Sequence, residues 1–493
     1  KMLPEIKEID QPFSLPYNWK WIRLGNATNY GITDKIEAKE AEQDTWVLEL
    51  EDIEKSTSKL LKKVRFNERP FKSSKNRFNT KDVIYGKLRP YLDKVLIADE
   101  PGVCTTEMIP IRAYAGIYPG FLRWIMKSSY FIRYANYSTH GMNLPRMGTD
   151  KARLALIPLA PEQEQYRIAA KVDELMMLCD QLEQQQESNF ETHHTFITSL
   201  LNALSSSATN AKKFAESWYL IQKNFDILFT TESSIDQLKQ TIINLSMMGK
   251  IVLQDSTEEP AAELLLRIAK KKLLLEKEGK IKKQKSKSLV EKEDEPFSLP
   301  SGWDWTRLGN IARRIHYGYT AKANFEISKV RLLRITDIHD DNVDWNSVPG
   351  CEITEKELAK YKLNPGDILI ARSGSVGKSL WVRNIEVDAV FASYLIRVET
   401  CEDVYIPYLK LFLRSPLYWQ QLISGAKGVA QTNVNGQTLS AMILPFPPIA
   451  EQYRIVEKVN ELISICDQLK SSLCSIQNTK INLADSLVSK AIE

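Results

Sequence analysis

Two stretches of this chain are written twice, at nearly the same distance apart. Residues 12–26 read PFSLPYNWKWIRLGN and residues 296–310 read PFSLPSGWDWTRLGN, identical at eleven of fifteen positions. EQYRIAAKVDELMMLCDQL starts at Glu164 and EQYRIVEKVNELISICDQL at Glu451. The offsets are 284 (296 − 12) and 287 (451 − 164). A period this long is a domain duplication and not a solenoid. The chain must fold as two tandem modules, each with an opening strand around its tryptophans, a body, and a closing helix.

The closing helices carry apolar residues at alternating steps of four and three. In the second they are Ile455, Val459, Leu462, Cys466, Leu469, Leu473 and Ile476, resuming at Leu483 and Leu487. In the first they are Ile168, Val172, Leu175, Cys179 and Leu182, then polar Gln186, Asn189 and His193, then Phe196 and Leu200. This is a heptad seam, and two such helices are expected to pack on each other. A helix over 162–204 spans on the order of 60 Å at roughly 1.5 Å per residue.

The bodies, about 27–155 and 311–443, share a frame and differ at their tips. KDVIYGKLRPYLDKVLIA from Lys81 matches GDILIARSGSVGKSLWV from Gly366 as two strands joined by a glycine-containing basic tip. FLRWIMKSSYFIRYAN from Phe121 matches YLKLFLRSPLYWQQLI from Tyr408, a helix in both. A glycine- and amide-rich loop follows in the second body, with LPRMGTD in its place in the first. Between the modules, Ser233 or Ser234 caps a helix that ends before Gly249, and Pro260 opens another. Residues 267–292 then hold eleven Lys or Arg against three Glu, a basic linker. Lys1–Asp10 ends much as the segment before the second PFSLP does, so an equivalent of residues 233–290 is expected ahead of residue 1. The domain reading is 1–155, 156–210, 211–295, 296–443 and 444–493.

The 493 residues, 43% hydrophobic and 26% charged, fit a globular chain. No apolar run approaches the roughly 20 residues of a membrane helix. Six cysteines without a C-x-x-C pair fit a reducing, cytoplasmic compartment. The net charge of +4 leaves nucleic-acid binding to local distribution.

Enzymatic motifs are weak. Gly374-Ser375-Val376-Gly377-Lys378-Ser379 resembles a phosphate-binding loop, but Arg372 stands where G-x-x-x-x-G-K-[ST] needs its first glycine. The five histidines lack metal-ligand spacing, so no metal site is expected. Nucleic-acid contacts fit better. Residues 59–77 carry eight basic residues and one acid, with Phe66 and Phe71 interleaved. Lysine and arginine neutralise phosphates, while amides and arginine forks read base edges. The candidate DNA contacts are Lys72, Lys75, Arg77, Lys87, Arg89, Asn143 and Arg146 in the first body. In the second they are Tyr319, Thr320, Lys322, Arg372, Ser373, Ser375, Lys378, Gln431, Asn433 and Asn435. The repeated helix starts offer Gln165, Tyr166, Arg167, Gln452, Tyr453 and Arg454 as partner contacts.

The Leu-Pro…Trp…Leu-Gly opening, the Gly366-Asp367-Ile368-Leu369 strand with its Arg372-Ser373-Gly374 tip, and the Pro-Pro…Glu-Gln-x-x-Ile helix start resemble the specificity subunits of Type I restriction–modification systems. Leu238-Lys239-Gln240 to Gly249-Lys250 belongs to the same resemblance, which spans essentially the whole chain. It implies an α+β fold: two mixed α/β target-recognition domains separated by long antiparallel, coiled-coil-like helices. It also implies a non-catalytic subunit that reads a split site on double-stranded DNA. Two methyltransferase subunits and the restriction subunits would dock on it, bringing S-adenosylmethionine, ATP and Mg²⁺ that this chain does not itself hold. The alternatives are a DNA-modifying enzyme with fused recognition domains, or a helical scaffold for protein alone.

Overall fold

The computed structural model describes residues 3–140, 144–281, 288–327, 329–425 and 434–492. Two compact units divide the chain, Lys1–Glu187 and Ser188–Glu493.

In each unit the repeated opening segment closes the body behind it. Strand Lys20–Arg23 runs antiparallel to Leu156–Leu159, with Lys20 opposite Leu159. Strand Asp304–Arg307 runs antiparallel to Ile443–Phe446, with Asp304 opposite Phe446. The repeated arginine locks this closure. Arg23 donates to the Pro4 and Leu154 carbonyls at 2.7 and 2.9 Å. Arg307 donates to those of Ser288 and Ala441 at 3.1 and 2.9 Å. The shared residues of PFSLP…WxWxRLGN thus serve the junction between the body's two ends.

Each body is a set of small sheets backed by helices. In the first, Val83–Gly86 lies between Val95–Ile97 and Met108–Ile111. In the second, a four-stranded antiparallel sheet orders Ala312–Tyr317, Leu395–Thr400, Ile368–Ala371 and Ser379–Trp381. The single helix expected behind each sheet is a broken pair. Pro119–Lys127 gives way to Ser129–Tyr137, and Ile406–Phe412 to Pro416–Gly425. The break is chemical: the hydroxyls of Ser128 and Ser415 accept from the Phe131 and Tyr418 amides, each at 3.2 Å. A serine that caps the next helix stops the preceding one.

The long helices are Glu162–Ser206 and Ile449–Ile492, 45 and 44 residues. Their seams are not filled as the heptads imply. Ile455, Val459 and Cys466 are buried, whereas Ile476, Leu483 and Leu487 are exposed. In the first helix Leu175, Cys179 and Leu182 are exposed, and the buried stripe near its end is Ile197, Leu201 and Leu204. That is one position on from the expected Phe196 and Leu200. The cause is an unforeseen partner, the central helix Glu232–Met247, which packs there. Thr198 Oγ1 donates to the Gln237 side chain at 3.2 Å.

The same central helix runs antiparallel to the second long helix. Lys239 pairs with Asp467, and Lys470 with Asp236 at 2.8 Å. It begins two residues earlier than expected, because the Thr231 hydroxyl, not Ser233 or Ser234, caps it by accepting from the Ser234 amide. Its end does fall before Gly249, whose φ of +66° is a left-handed cap. An added Cβ at Gly249 would meet Pro300 at 2.5 Å and Trp303 at 3.1 Å. Gly249→Ala is therefore expected to cost about 1–3 kcal/mol, read by chemical denaturation.

Candidate nucleic-acid interface

In the first body the strands Val83–Gly86 and Val95–Ile97 pair from Val83–Ile97 to Tyr85–Val95. Their tip, residues 87–94, is pinned on its outer side to residues 145–147. The Arg89 amide donates to Pro145 O at 2.7 Å, and the Met147 amide to Lys87 O at 3.0 Å. This brings Lys87, Arg89 and Arg146 into one ridge, although 57 residues separate Arg89 from Arg146 (146 − 89). Arg146 Nε is held by the Glu107 carboxylate at 2.9 and 3.1 Å. Arg89 adopts φ +51°, a left-handed conformation that bends the tip.

Most cations of the basic run at 59–77 have an acidic neighbour in the folded chain. Lys75 is buried against Glu49, so this residue leaves the candidate set. Lys63 and Arg65 pair with Glu100, Arg69 with Asp52, Lys59 with Asp180, and Arg77 with Asp34. Phe66 and Phe71 pack edge-on at 5.1 Å inside a small core with Ile36 and Val47. The acids that neutralise this run come from distant parts of the chain. Lys72 stays exposed.

In the second body Ile368–Ala371 and Ser379–Trp381 pair from Ile368–Trp381 to Ile370–Ser379. Gly374 and Gly377 turn the tip with φ of +70° and +84°. The Arg372 guanidinium stacks 4.7 Å over the Tyr317 ring. Tyr317 Oη in turn accepts from the Gly436 amide at 3.0 Å. The Arg372 amide donates to Tyr394 O at 3.0 Å, and the Tyr394 side chain is exposed. Tyr317 and Tyr394 are thus interface candidates that the sequence reading missed. No local sequence signal links them to the tip, because the sheet brings them there from 55 residues before Arg372 (372 − 317) and 22 after it (394 − 372).

Ser373 and Ser375 lie on this tip. Lys378 turns inward, its Nζ donating to Ile338 O at 2.7 Å. Asn435 caps the short helix Gly436–Ala441 by accepting from the Thr438 amide at 2.8 Å. Tyr319 donates to Glu357 at 3.2 Å, while Thr320 and Lys322 are exposed. Asn143, Gln431 and Asn433 lie outside the described residues.

At the foot of the second hairpin, toward the end away from its tip, is a compact ionic core. Arg397 is buried and pairs with Asp367 at 3.1 Å and Glu399 at 2.6 Å. Glu399 also meets His316 at 3.1 Å. Burial alone would push the Glu399 carboxyl up, but the His316 contact and the Arg397 charge bring it down to about 2.

The repeated EQYR heads resolve into two roles. Gln165 is buried, donating to Ala160 O and Gly116 O and accepting from the Tyr118 amide. Gln452 is buried and donates to Pro447 O at 3.0 Å. Both glutamines tie the helix start to its own body, so neither is free to meet a partner. Tyr166 and Tyr453 stack on Tyr118 and Tyr405 at 4.2 and 3.9 Å and remain about half exposed. Arg167 is exposed, whereas Arg454 pairs with Glu258. Glu451 is buried and accepts from Trp303 Nε1 at 2.9 Å.

Comparison with known proteins decides the family. The profile of the Type I restriction modification DNA specificity domain matches residues 300–474. The EcoEI and EcoAI Type I restriction enzyme specificity subunits of Escherichia coli are 32% and 34% identical to this chain. Each alignment covers 100% of the chain and 85% of the relative. The chain belongs to the family of Type I restriction enzyme specificity subunits. The fold of this specificity subunit is also that of a chain solved in work on the assembly and conformational transition of a type I R-M system. That match has a TM-score of 0.59 and 20% identity, and covers 97% of this chain and 99% of the other.

In the specificity subunit's second body, Glu399 contributes stability above its ordinary value near 4.5, lost as pH falls through that value toward about 2. Glu399→Gln is expected to flatten the fall of melting temperature with acid between those limits. An unchanged slope would show that the ionic core carries no such linkage.

Proposed function

We propose that this chain is the non-catalytic DNA-reading subunit of a Type I restriction–modification complex, each body contacting one half of a split site. The observation that carries this reading is the pair of basic hairpin tips on otherwise duplicated frames. One presents Lys87 and Arg89 beside Arg146, and the other Arg372 stacked on Tyr317. Arginine and lysine at a tip supply phosphate attraction and bidentate contacts to base edges, while exposed hydroxyls and backbone amides add short-range readout. Lys72, Thr320, Lys322, Ser373 and Ser375 complete the proposed contact set.

The long helices fix the distance between half-sites in this reading, and Tyr166, Arg167 and Tyr453 offer related surfaces to methyltransferase subunits. Restriction subunits join that core. S-adenosylmethionine, ATP and Mg²⁺ belong to those partners.

Binding of the full chain to duplex DNA should weaken steeply and log-linearly with salt. Exchange of residues 311–443 for the matching body of a relative should alter one half of the recognised site only. Altered bases in both halves would refute two independent readers, and salt-insensitive binding would refute a phosphate interface.

A further inference from the structure

Both bodies hold a buried lysine that reaches from the helix behind the sheet to the underside of the basic tip. In the first, Lys127 Nζ donates to the Asp93 carboxylate at 2.6 Å, the Ser58 hydroxyl at 2.8 Å and the Ser56 carbonyl at 2.8 Å. Asp93 closes the tip that carries Lys87 and Arg89. In the second, Lys410 Nζ donates to the Asp341 carboxylate at 2.8 Å and to the Ser379 hydroxyl and carbonyl at 2.9 and 3.0 Å. Ser379 begins the strand that returns from the Arg372 tip, and Asp341 also accepts from the Trp381 amide of that strand at 3.1 Å.

The two lysines are not copies of one ancestral residue. At the repeat's offset of 287, Lys127 corresponds to Arg414, and Lys410 to Arg123. The same arrangement is built from different turns of corresponding helices. It also recurs with the same backbone feature: Asp93 and Asp341 have φ of +48° and +63°. A non-glycine residue keeps a left-handed conformation only where its surroundings over-determine it. Burial pushes the Asp93 carboxyl up and the Lys410 amine down, the Lys127 and Asp341 charges acting against it. Buried ion pairs of this kind contribute little net stability, because desolvation offsets attraction. What three acceptors around one ammonium do supply is fixed geometry.

We propose that Lys127 and Lys410 are positioning residues for base discrimination, each locking its own hairpin tip from below. The proposal rests on the DNA-reading function above and names what makes each tip selective. Attraction to phosphate depends on the number of exposed cations and tolerates a loosely held tip. Hydrogen bonds to base edges require the tip to hold one shape. A buried lysine that meets only protein acceptors contributes to the second and not to the first.

The test uses the full chain as wild type, Lys127→Met and Lys410→Met. Each is equilibrated with a pool of random-sequence duplexes, the bound fraction is sequenced, and binding to one arbitrary duplex is titrated with salt. Lys127→Met should lower selectivity in one half-site, and Lys410→Met in the other, on the order of tenfold at each affected base position. The salt slope should stay that of wild type. Base preferences retained in both folded variants would overturn the proposal, as would an equal loss of binding to every sequence. Should either methionine variant lack a cooperative unfolding transition, Ser58→Ala and Ser379→Ala take its place. Each removes one acceptor of the lysine and should give a smaller loss confined to the same half-site, and unaltered preferences would again overturn it. A wild-type chain with no sequence preference refutes the DNA-reading function itself, and the positioning role falls with it.

Discussion

The structure depends on one four-residue antiparallel pairing, made twice. In each module the segment entering the body lies beside the segment leaving it, and the long helix starts three residues after the departing strand. The amide of Leu24 donates to Ala155 O, and that of Leu308 to Met442 O, both at 2.8 Å. A buried glutamine then ties the first helical turn to the preceding carbonyl. The register fixes which way each side chain faces, and a one-residue slip would reverse the faces on which the slipped strand's side chains lie. The body can therefore vary without changing where its helix begins.

That constraint explains which parts of the chain were readable in advance. The modules, the opening strands and the long helices were legible because the residues that specify them are local and written twice. The identity of Trp19 and Trp303, Arg23 and Arg307, or Gln165 and Gln452 reflects one junction built two times. Long-range pairing was not legible. Nothing around Lys75 announces Glu49, and nothing around Arg69 announces Asp52, so a run that reads as a cationic patch is largely a set of ion pairs. The heptad seam misled for the same reason. Periodicity states that a helix has an apolar face, but the partner sets which residues are covered, and Glu232–Met247 selects Ile197, Leu201 and Leu204.

The candidate interface was partly legible. Tips with Lys87 and Arg89 or with Arg372 could be placed on hairpins because alternating apolar strands frame them. Their neighbours could not be placed. Arg146 reaches the first ridge only through the Pro145–Met147 edge, and Tyr317 reaches Arg372 only through the folded sheet. Polar groups that read as DNA or partner contacts in sequence often serve the frame: buried Gln165 and Gln452 bind carbonyls, exposed Asn435 caps a helix, and Lys378 meets Ile338.

The division of labour between charge and geometry follows from this. The chain's net charge is only +4, so a general electrostatic field is a poor source of selectivity between sequences. Much of its positive charge is matched by acids on the surface, as at residues 59–77, or in the interior, as at Arg397. Cations that project from a hairpin tip differ in one respect: their backbone is held by hydrogen bonds to Pro145 and Met147 or to Tyr394, and a buried lysine meets the same hairpin separately. Fixing a tip in this way reduces the conformational freedom that base contacts would otherwise have to remove on binding. Variation of tip residues can then change the sequence that is read, while the duplicated frame and its strand closure remain the same.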